Sequence, residues 1–371
     1  MPIYLDHNAT AIPLPAAAAA AAAWLARPAN PSSVHGPGRA ARAAVETARR
    51  QVAGAIGGDA RGVVFTSGAT EALHLAVGGL VPRGGHVVAS AVEHPALFGA
   101  AAVAEVALTR VAVDGAGRLD VDAVVAACRP DTALVAVMAA QNELGTLYPV
   151  AEIARRVAPI PVLCDAVQAL GKVPLDVSTL GCAAVAVSGH KIGAPAGVGA
   201  LWLAPGVDPR PRVMGGAQER GRRAGTENVA GIVGFGVAAA AVPARLGAMP
   251  SVAVRRDRIA AALGAALPWV GHGAPGLPNT LAGRVVGVDG DVLLQALDLE
   301  GVALSSGAAC AAGGIEPSPV LLALGLSPRD ARGGLRISLG AETRDDEVEV
   351  FVEVFVRVAR RALAAGRGEG A

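Results

Sequence analysis

The sequence predicts an α/β protein, with a mostly parallel sheet covered by helices on both faces and a smaller α+β domain beside it. Two observations lead to this prediction. Short, continuously apolar runs bounded by turn residues alternate with helical segments through the first two-thirds of the chain. The last third carries further strands and helices, and no repeat of fixed period occurs. The 371 residues are enough to bury one large core and a smaller one.

The predicted elements of the large domain follow one another in alternation. Arg39–Ile56 has the spacing of an amphipathic helix, and a second helix begins after Ser67 and runs to about Leu80. The apolar runs are the predicted strands, namely Val63–Thr66, His86–Ser90, Ala133–Met138, Pro161–Asp165, Ala183–Ser188 and Gly199–Leu203.

A hinge between two domains is predicted at Pro243–Pro250. Behind it we expect a helix over Val252–Leu267, two or three strands, the loop Ser305–Gly314 and a last amphipathic helix from Asp345 to about Ala364. This order places the large domain at residues 15–243 and builds the small domain from residues 1–14 and 250–371.

Composition and charge exclude several classes of protein. A net charge of +1 gives no electrostatic reason to expect nucleic acid or an anionic membrane as a partner. The first residues lack the basic and apolar regions of a secretory signal, and no run of about 20 strongly apolar residues occurs. The four cysteines show neither C-x-x-C pairing nor metal-ligand spacing. We therefore expect a cytoplasmic protein without disulfides or a metal site.

Lysine is rare in this chain, since Lys172 and Lys191 are the only two lysines among 32 basic residues. Lys191 follows the predicted strand Ala183–Ser188, at the end where α/β sheets bind ligands. An imine with an aldehyde requires a primary amine, which arginine cannot supply. Lys191 is therefore predicted to hold the aldehyde cofactor pyridoxal phosphate, and a capping or surface lysine is the alternative.

Three further features fit this cofactor. Thr66–Thr70 joins a strand to a helix whose first amides can bind phosphate, although an ordinary N-cap has the same pattern. Asp165 ends a strand and can pair with a protonated pyridine nitrogen, or else it caps the next helix. Gln168 can reach the phenolic oxygen from the same turn. His94, which Pro95 holds at the start of a helix, is a candidate to stack on the ring.

Two residues near the C-terminus indicate the chemistry. Cys310 lies in a stretch of small residues, Leu304–Gly314, and is predicted to be an exposed nucleophile that hands over a group. A free surface thiol is the alternative. Arg336 alternates with apolar neighbours on a strand and can clamp the carboxylate of an amino acid. The remaining cysteines are predicted to be core residues, namely Cys128, Cys164 and Cys182.

Taken together, these motifs resemble the NifS/IscS-type cysteine desulfurases of the class V aminotransferase group. The resemblance runs nearly end to end, and its specificity comes from the order of the motifs rather than from any single one. The motifs are Tyr4–Thr10, Asn30–His35, Thr66–Glu71, Asn142–Thr146, Asp165–Gln168, Ser188–Lys191, Gly215–Asn228, Ser305–Cys310 and Leu335–Gly340.

The resemblance implies a fold-type I pyridoxal phosphate-dependent transferase, built as a homodimer whose two active sites are shared across the interface. It implies conversion of L-cysteine to L-alanine through a quinonoid, with the sulfur left as a persulfide on Cys310. The sulfur then passes to an acceptor protein, such as an iron–sulfur scaffold, for iron–sulfur cluster or thio-cofactor assembly. Cys310 could also ligate an iron–sulfur cluster transiently.

The resemblance also implies a role for each matching residue. Lys191, His94 and Cys310 are the catalytic residues, with Lys191 as the Schiff base and His94 stacked on the ring. Asp165 pairs with the pyridine nitrogen, and Gln168 contacts the phenolic oxygen. The phosphate is bound by Ala69, Thr70, Ser188 and His190, and by Thr226 from the partner subunit. The substrate carboxylate is bound by Asn142 and Arg336, and Asn8 lies nearby.

Several positions depart from the family pattern, and none of these departures removes a catalytic group. Gln141 replaces the first asparagine of Asn-Asn-Glu, Ala196 stands where a lysine is usual, and Leu163 stands where histidine is common. The stretch around Cys310 is rich in alanine instead of serine. Its length and the following Ile315–Ser318 favour the long-loop subgroup, which donates sulfur directly to scaffold proteins.

Two kinds of alternative function remain. Selenocysteine lyase, or another class V pyridoxal phosphate enzyme such as an aminotransferase, would use the same frame, although Cys310 argues against simple transamination. A catalytically silent assembly scaffold is the alternative from another class. The retained Lys191, Asp165 and Cys310 argue against that scaffold.

Overall fold

A computed structural model describes residues 2–306 and 316–368, and side chains as far as residue 365. Strands and helices alternate along these ranges. The strands are β1 (Ile3–Tyr4), β2 (Val63–Thr66), β3 (His86–Ser90), β4 (Ala107–Val111), β5 (Thr132–Met138), β6 (Val162–Asp165), β7 (Ala184–Ser188), β8 (Gly199–Leu203), β9 (Trp269–His272), β10 (Thr280–Val285), β11 (Val302–Ala303) and β12 (Leu335–Ser338). The helices are α1 (Pro15–Leu25), α2 (Gly36–Ala55), α3 (Ala69–Leu80), α4 (Pro95–Val103), α5 (Val121–Ala127), α6 (Val150–Val157), α7 (Val177–Leu180), α8 (Val229–Ala240), α9 (Val242–Ala266), α10 (Gly290–Leu299), α11 (Pro319–Ala323), α12 (Pro328–Arg332) and α13 (Asp345–Gly368).

The central sheet has seven strands in the order β2-β8-β7-β6-β5-β3-β4. Of these, β8 runs antiparallel to both of its neighbours, and the other pairings are parallel. The predicted α/β fold with a mostly parallel sheet is therefore confirmed. Because parallel strands point the same way, the carboxyl ends of β5, β6 and β7 meet at one edge. Met138, Asp165 and Ser188 end these strands there.

The predicted strands agree closely with the observed ones. Three have the predicted bounds, and the other three begin one residue away from them. The sequence prediction missed β4, which forms the edge of the sheet. Its side chains are mostly exposed or half-buried, so it lacks the continuous apolar run that marks the buried strands.

Side chains of the sheet alternate between two hydrophobic cores, one on each face. Val88, Val137 and Val187 face the core that α2, α6 and α8 cover. Val87 and Ala136 face the opposite core, which α3 and α4 cover. Helices on both faces explain why these strands are apolar at most positions.

A third core lies outside the central sheet. It joins Leu5 of the N-terminal segment to α9, to α10, to the strands β10 and β12, and to Phe351 and Phe355 of α13. The strands β12, β10 and β9 form a separate antiparallel sheet there, in that order. The N-terminal segment and the last third of the chain therefore share one core.

The predicted hinge at Pro243–Pro250 is helical. The helix expected to begin at Val252 begins at Val242, and Pro250 lies inside it. The chain instead bends between α8 and α9, by 55°. Val242 belongs to the core of the central sheet, whereas Met249 belongs to the third core. The helix α9 therefore connects the two cores without a break. Its beginning packs in the core of the central sheet, and its later part packs in the third core.

Among the described residues, no single helix is long and apolar enough to cross a membrane. One bent pair, Val229–Ala240 with Val242–Ala266, passes that test only when the two helices are taken together, by length and composition alone.

Candidate active site

A cavity of about 400 Å³ opens at the carboxyl ends of β5, β6 and β7. The residues predicted for the cofactor and the substrate converge on it from segments far apart in the chain. Those that line it are Asn8, Ala69, Thr70, His94, Asn142, Asp165, Gln168, Ser188, His190, Lys191 and Arg336.

One predicted residue of the described ranges does not line this cavity. Thr226 is exposed and lines a smaller neighbouring cavity of about 110 Å³, which shares Ser67 and Gly197 with the first. The resemblance implies that Thr226 binds the cofactor phosphate in the active site of the partner subunit. Thr226 is therefore not expected to line the active-site cavity of its own chain. Cys310 lies outside the described residues.

The N-terminus of α3 forms one wall of the cavity. Ala69 and Thr70 begin this helix directly after β2, and the turn before it is held by Thr66 Oγ1, which donates to Gly68 O at 2.9 Å. Within the described ranges, no side chain caps this helix. Its first amides and its positive dipole end therefore suit a phosphate group.

Another part of the cavity wall comes from the end of β7. Ser188 is buried there, and His190 follows in the next turn. His190 Nδ1 lies 3.3 Å from Thr10 Oγ1. Burial, with help from the charges of Lys191 and Lys172, lowers the pKa of His190 to about 4. This imidazole is therefore neutral at physiological pH and serves as a hydrogen-bonding group.

Asp165 lies on the wall of the cavity at the end of β6. Its Oδ1 accepts a hydrogen bond from Val167 N at 3.0 Å. Burial raises the pKa of this carboxyl, against the lowering effects of that hydrogen bond and of His94 and Lys191. A cationic nitrogen of a bound ring would reverse the rise, which is the role predicted for Asp165.

His94 caps the N-terminus of α4, as the following Pro95 predicts. Its Nδ1 accepts a hydrogen bond from Ala96 N at 3.1 Å. This bond leaves the proton of the neutral ring on Nε2, and it fixes the plane of the imidazole against the cavity. A ring held in this way is suited to stacking.

The Lys191 amine is half-buried and points at the N-terminal segment. Its Nζ donates to Asn8 O at 2.7 Å and to Ala9 O at 2.8 Å. Two neutral carbonyls therefore hold this amine at the cavity wall. The arrangement keeps a primary amine in place beside the other lining residues.

Arg336 is 3% exposed and faces the cavity from β12. Its Nη2 pairs with Asp6 Oδ1 at 2.7 Å, and its Nη1 donates to Asn142 O at 3.1 Å. Its Nε is buried and has no hydrogen-bond partner among the described residues. A buried guanidinium on the cavity wall fits the anionic carboxylate predicted there.

The sequence prediction missed several polar residues that support these side chains. Asp6 lies within the first motif but was not assigned to Arg336. Lys172 was visible as one of two lysines, yet it was given no role. Glu93 and Glu143 adjoin His94 and Asn142 in sequence, and both are buried. Proximity to a predicted site residue was the available signal for all of them.

The two buried glutamates bind neutral donors. Glu93 accepts hydrogen bonds from Ser90 Oγ at 2.6 Å and from Met138 N at 3.0 Å. Burial raises the pKa of Glu93 to about 8. Glu143 accepts from Ser318 Oγ at 2.6 Å, and burial raises its pKa as well. The Glu93 carboxyl therefore favours the protonated form at neutral pH.

Two of the departures from the family pattern have a structural explanation. Gln141 is fully buried, and its Oε1 accepts from Glu143 N at 2.5 Å and Leu144 N at 2.8 Å. It therefore shapes the turn that presents Asn142. Leu163 packs in the core on the far side of β6 from Cys164, away from the cavity.

The chain matches the aminotransferase class-V family over residues 3–351. A cysteine desulfurase from Trichormus azollae is 40% identical over 375 residues, covering 98% of this chain and 94% of that one. A NifS-like protein superimposes with a TM-score of 0.90 at 30% identity, covering 97% of this chain and 100% of that one. A structure of SspA in complex with cysteine has a TM-score of 0.80 at 28% identity, covering 91% and 99%.

The fold and the cavity define an α/β enzyme in which a lysine and the N-terminus of a helix line one cavity. The chain belongs to the class V aminotransferase family. Its cofactor is therefore pyridoxal phosphate. The chemistry of the lining residues fits this group, because the cavity combines an amine, an uncapped helix start, a carboxyl of raised pKa and a fixed imidazole.

Proposed function

We propose that the chain is a cysteine desulfurase, which converts L-cysteine to L-alanine and holds the released sulfur as a persulfide on Cys310. The observation that carries this proposal is that Lys191 and Arg336 face one cavity. That arrangement supplies an amine for the cofactor and a guanidinium for an amino acid carboxylate. The relative from Trichormus azollae is a cysteine desulfurase, and the related SspA binds cysteine.

Each residue of the cavity receives a definite task under this proposal. Lys191 holds the cofactor, Asp165 pairs with its ring nitrogen, Gln168 contacts its phenolic oxygen, and His94 stacks on its ring. Its phosphate would be bound by Ala69, Thr70, Ser188 and His190. Bound pyridoxal phosphate supplies the electron sink that weakens bonds at the substrate.

The substrate would be held by its carboxylate. Arg336 and Asn142 bind this group, and Asn8 shapes the wall beside it. Lys191, once displaced by the substrate amine, moves protons at the substrate α-carbon. The Cys310 thiolate bonds to the substrate sulfur, the Cβ–S bond breaks, and its electron pair stays on carbon. Protonation of that carbon completes alanine.

The wider assignments are also proposals. We expect a cytoplasmic homodimer with shared active sites, in which Thr226 reaches the phosphate of the partner subunit. The exposure of Thr226, and of Val213 and Met214 in the segment before it, supports this arrangement. We also retain the division into a large domain at 15–243 and a small domain from 1–14 and 250–371. The third core, which joins Leu5 to the last third of the chain, supports it.

The sulfur would pass from Cys310 to an acceptor protein for iron–sulfur cluster or thio-cofactor assembly. The long-loop pattern of the sequence supports direct transfer to a scaffold protein. The curated relatives favour desulfuration over the selenocysteine lyase and silent-scaffold alternatives.

The test is to measure alanine and persulfide formed from L-cysteine, with and without a candidate acceptor. Lys191→Ala should remove the visible absorbance of the bound cofactor. Cys310→Ala should keep that absorbance but stop alanine and sulfide formation. Cys128→Ala is the matched control, since Cys128 lies beside α5 away from the cavity. Turnover of Cys310→Ala at the parent rate would refute the persulfide mechanism.

A further inference from the structure

The second lysine of the chain is buried against the active site. Lys172 lies in the turn after β6 and is only 2% exposed. Its Nζ donates to Asn8 Oδ1 at 2.9 Å, and it also donates to Gln168 Oε1. Both acceptors belong to residues that line the cavity, whereas Lys172 itself does not line it. It therefore contacts the walls of the site from behind.

The surroundings of Lys172 suit a neutral amine. A neutral amine has two N–H donors, and the hydrogen bonds described for Lys172 go to two uncharged amide oxygens. Burial lowers its pKa well below the ordinary value, and neighbouring positive charges add to this effect. The charged and titratable groups that act on Lys172, or on which it acts, are His7, His190, Lys191, Arg245 and Arg336.

Asn8 connects this amine to Lys191. The Asn8 side chain accepts from Lys172 and from Asn279 Nδ2 at 3.1 Å, and its Nδ2 donates to Thr280 Oγ1 at 2.9 Å. Its backbone oxygen accepts both from Gln168 Nε2 at 2.9 Å and from Lys191 Nζ at 2.7 Å. Lys172 thus contacts both Asn8 and Gln168. The carbonyl that accepts from Lys191 belongs to Asn8, and Gln168 donates to the same carbonyl.

We propose that Lys172 is a positioning residue, whose buried amine fixes Asn8 and Gln168 and thereby sets where the Lys191 amine and the Gln168 amide meet the cofactor. Fixing Gln168 Oε1 also determines which way its amide NH2 points. The Asn8 carbonyl that accepts from Lys191 is fixed in place, because both the side chain and the backbone of Asn8 are hydrogen-bonded. This inference rests on the proposed roles of Lys191 and Gln168, and it is independent of which amino acid is the substrate.

A purely structural role makes a different prediction. Burying an amine in its neutral form costs stability, because the unfolded chain would carry the proton. A residue present only for packing should therefore be replaceable by methionine without affecting the cofactor. A positioning residue should instead change the cofactor even where the apoprotein remains folded.

The experiment compares the parent chain with Lys172→Met and Lys172→Gln. Pyridoxal phosphate is titrated into each apoprotein, and the dissociation constant, the visible spectrum and its pH midpoint are measured. Thermal unfolding of the apoproteins is followed in parallel. We expect Lys172→Met to weaken cofactor binding about tenfold and to shift the midpoint, because weakening one hydrogen bond to a bound group typically changes an affinity by about that factor. Lys172→Gln should recover part of the loss, since its amide also offers two N–H donors.

The matched control is Arg245→Met. Arg245 is a buried cation that acts on Lys172, but none of its described hydrogen bonds reaches Asn8 or Gln168. It should leave cofactor affinity within about twofold of the parent. Equal loss in this control would assign the effect to charge and overturn the positioning role.

The remaining outcomes also decide the question. Parent-like affinity and spectrum in Lys172→Met would overturn the inference, as would failure of both Lys172 variants to fold as apoproteins, which would make the role structural. Failure of the parent chain to convert L-cysteine would instead refute the proposed function and leave these cofactor measurements intact.

Discussion

The Lys191 amine lies 2.7 Å from the backbone oxygen of Asn8, although the two residues are 183 positions apart in the chain. Asn8 is itself buried and held through both its side chain and its backbone. The position of the predicted cofactor lysine therefore depends on the N-terminal segment, which docks between the central sheet and the third core.

Truncating Asn8 should destabilise the protein. Its side chain makes hydrogen bonds to Asn142 O, Thr280 Oγ1, Lys172 Nζ and Asn279 Nδ2. Asn8→Ala would leave these buried partners unsatisfied, at a cost of about 3 kcal/mol by the usual cost of unmet hydrogen bonds. Denaturant unfolding of the apoprotein measures this loss. Exposed Asn30→Ala is the control and should cost less than about 1 kcal/mol; an equal loss would contradict the role of Asn8.

Replacing Arg336 by lysine should impair substrate binding. Arg336 offers a planar guanidinium that pairs with Asp6 through Nη2 and donates to Asn142 O through Nη1, and an ammonium cannot match this fork. We expect KM for L-cysteine to rise about tenfold or more, with the cofactor absorbance unchanged. Steady-state kinetics measure KM, and exposed Arg332→Lys on α12 is the control. An unchanged KM would remove Arg336 from the substrate site.

The buried carboxyl of Glu93 should make stability depend on pH. Burial raises its pKa from 4.5 to about 8. Between these values the folded chain keeps a proton that the unfolded chain releases, so the free energy of unfolding falls as pH rises through this window. The slope is about 1.4 kcal/mol per pH unit. The stabilisation that the protonated Glu93 gives to the folded chain is complete below pH 4.5 and lost above about pH 8.

Glu93→Gln should remove this dependence, because an amide does not titrate. Relative to the parent, the variant should gain stability as the pH is raised from about 5 to about 8, the window between the two pKa values. Denaturant unfolding of the apoproteins across this range provides the measurement. Glu353→Gln, at an exposed position of α13, should follow the parent curve. A constant difference between Glu93→Gln and the parent would show that Glu93 is ionised throughout.

The buried ion pair of Arg49 and Glu219 should be essential for stability. Arg49 Nη1 lies 2.7 Å from Glu219 Oε2, and the same carboxylate accepts from Phe65 N at 3.0 Å. Arg49→Met leaves Glu219 charged, buried and unpaired, which typically costs about 3–5 kcal/mol. A fall in thermal and denaturant midpoints measures the effect. Its neighbour Arg50→Met is the control, since Arg50 is exposed on the same helix; similar midpoints for both variants would contradict the prediction.

Much of the fold and of the site could be predicted from local sequence alone. Strands with both faces buried are apolar at most positions and are bounded by turn residues, so β2, β3 and β8 have the predicted bounds. Lys191 could be singled out because only a primary amine forms an imine and the chain has almost no other lysine. The motifs at strand ends predicted the residues that converge on the cavity, because the carboxyl ends of parallel strands meet at one edge.

The sequence by itself therefore determined the fold class and most of the residues of the cavity wall, Lys191 among them. Only the tertiary structure decided that Asp6 pairs with Arg336 across 330 positions, that Lys172 supports the site from behind, and that α9 joins two cores as one helix. These features depend on contacts between distant segments and on burial, which sets the pKa of Lys172 and Glu93. Local patterns indicate which residues can do chemistry, whereas packing determines which of them meet and in which protonation state.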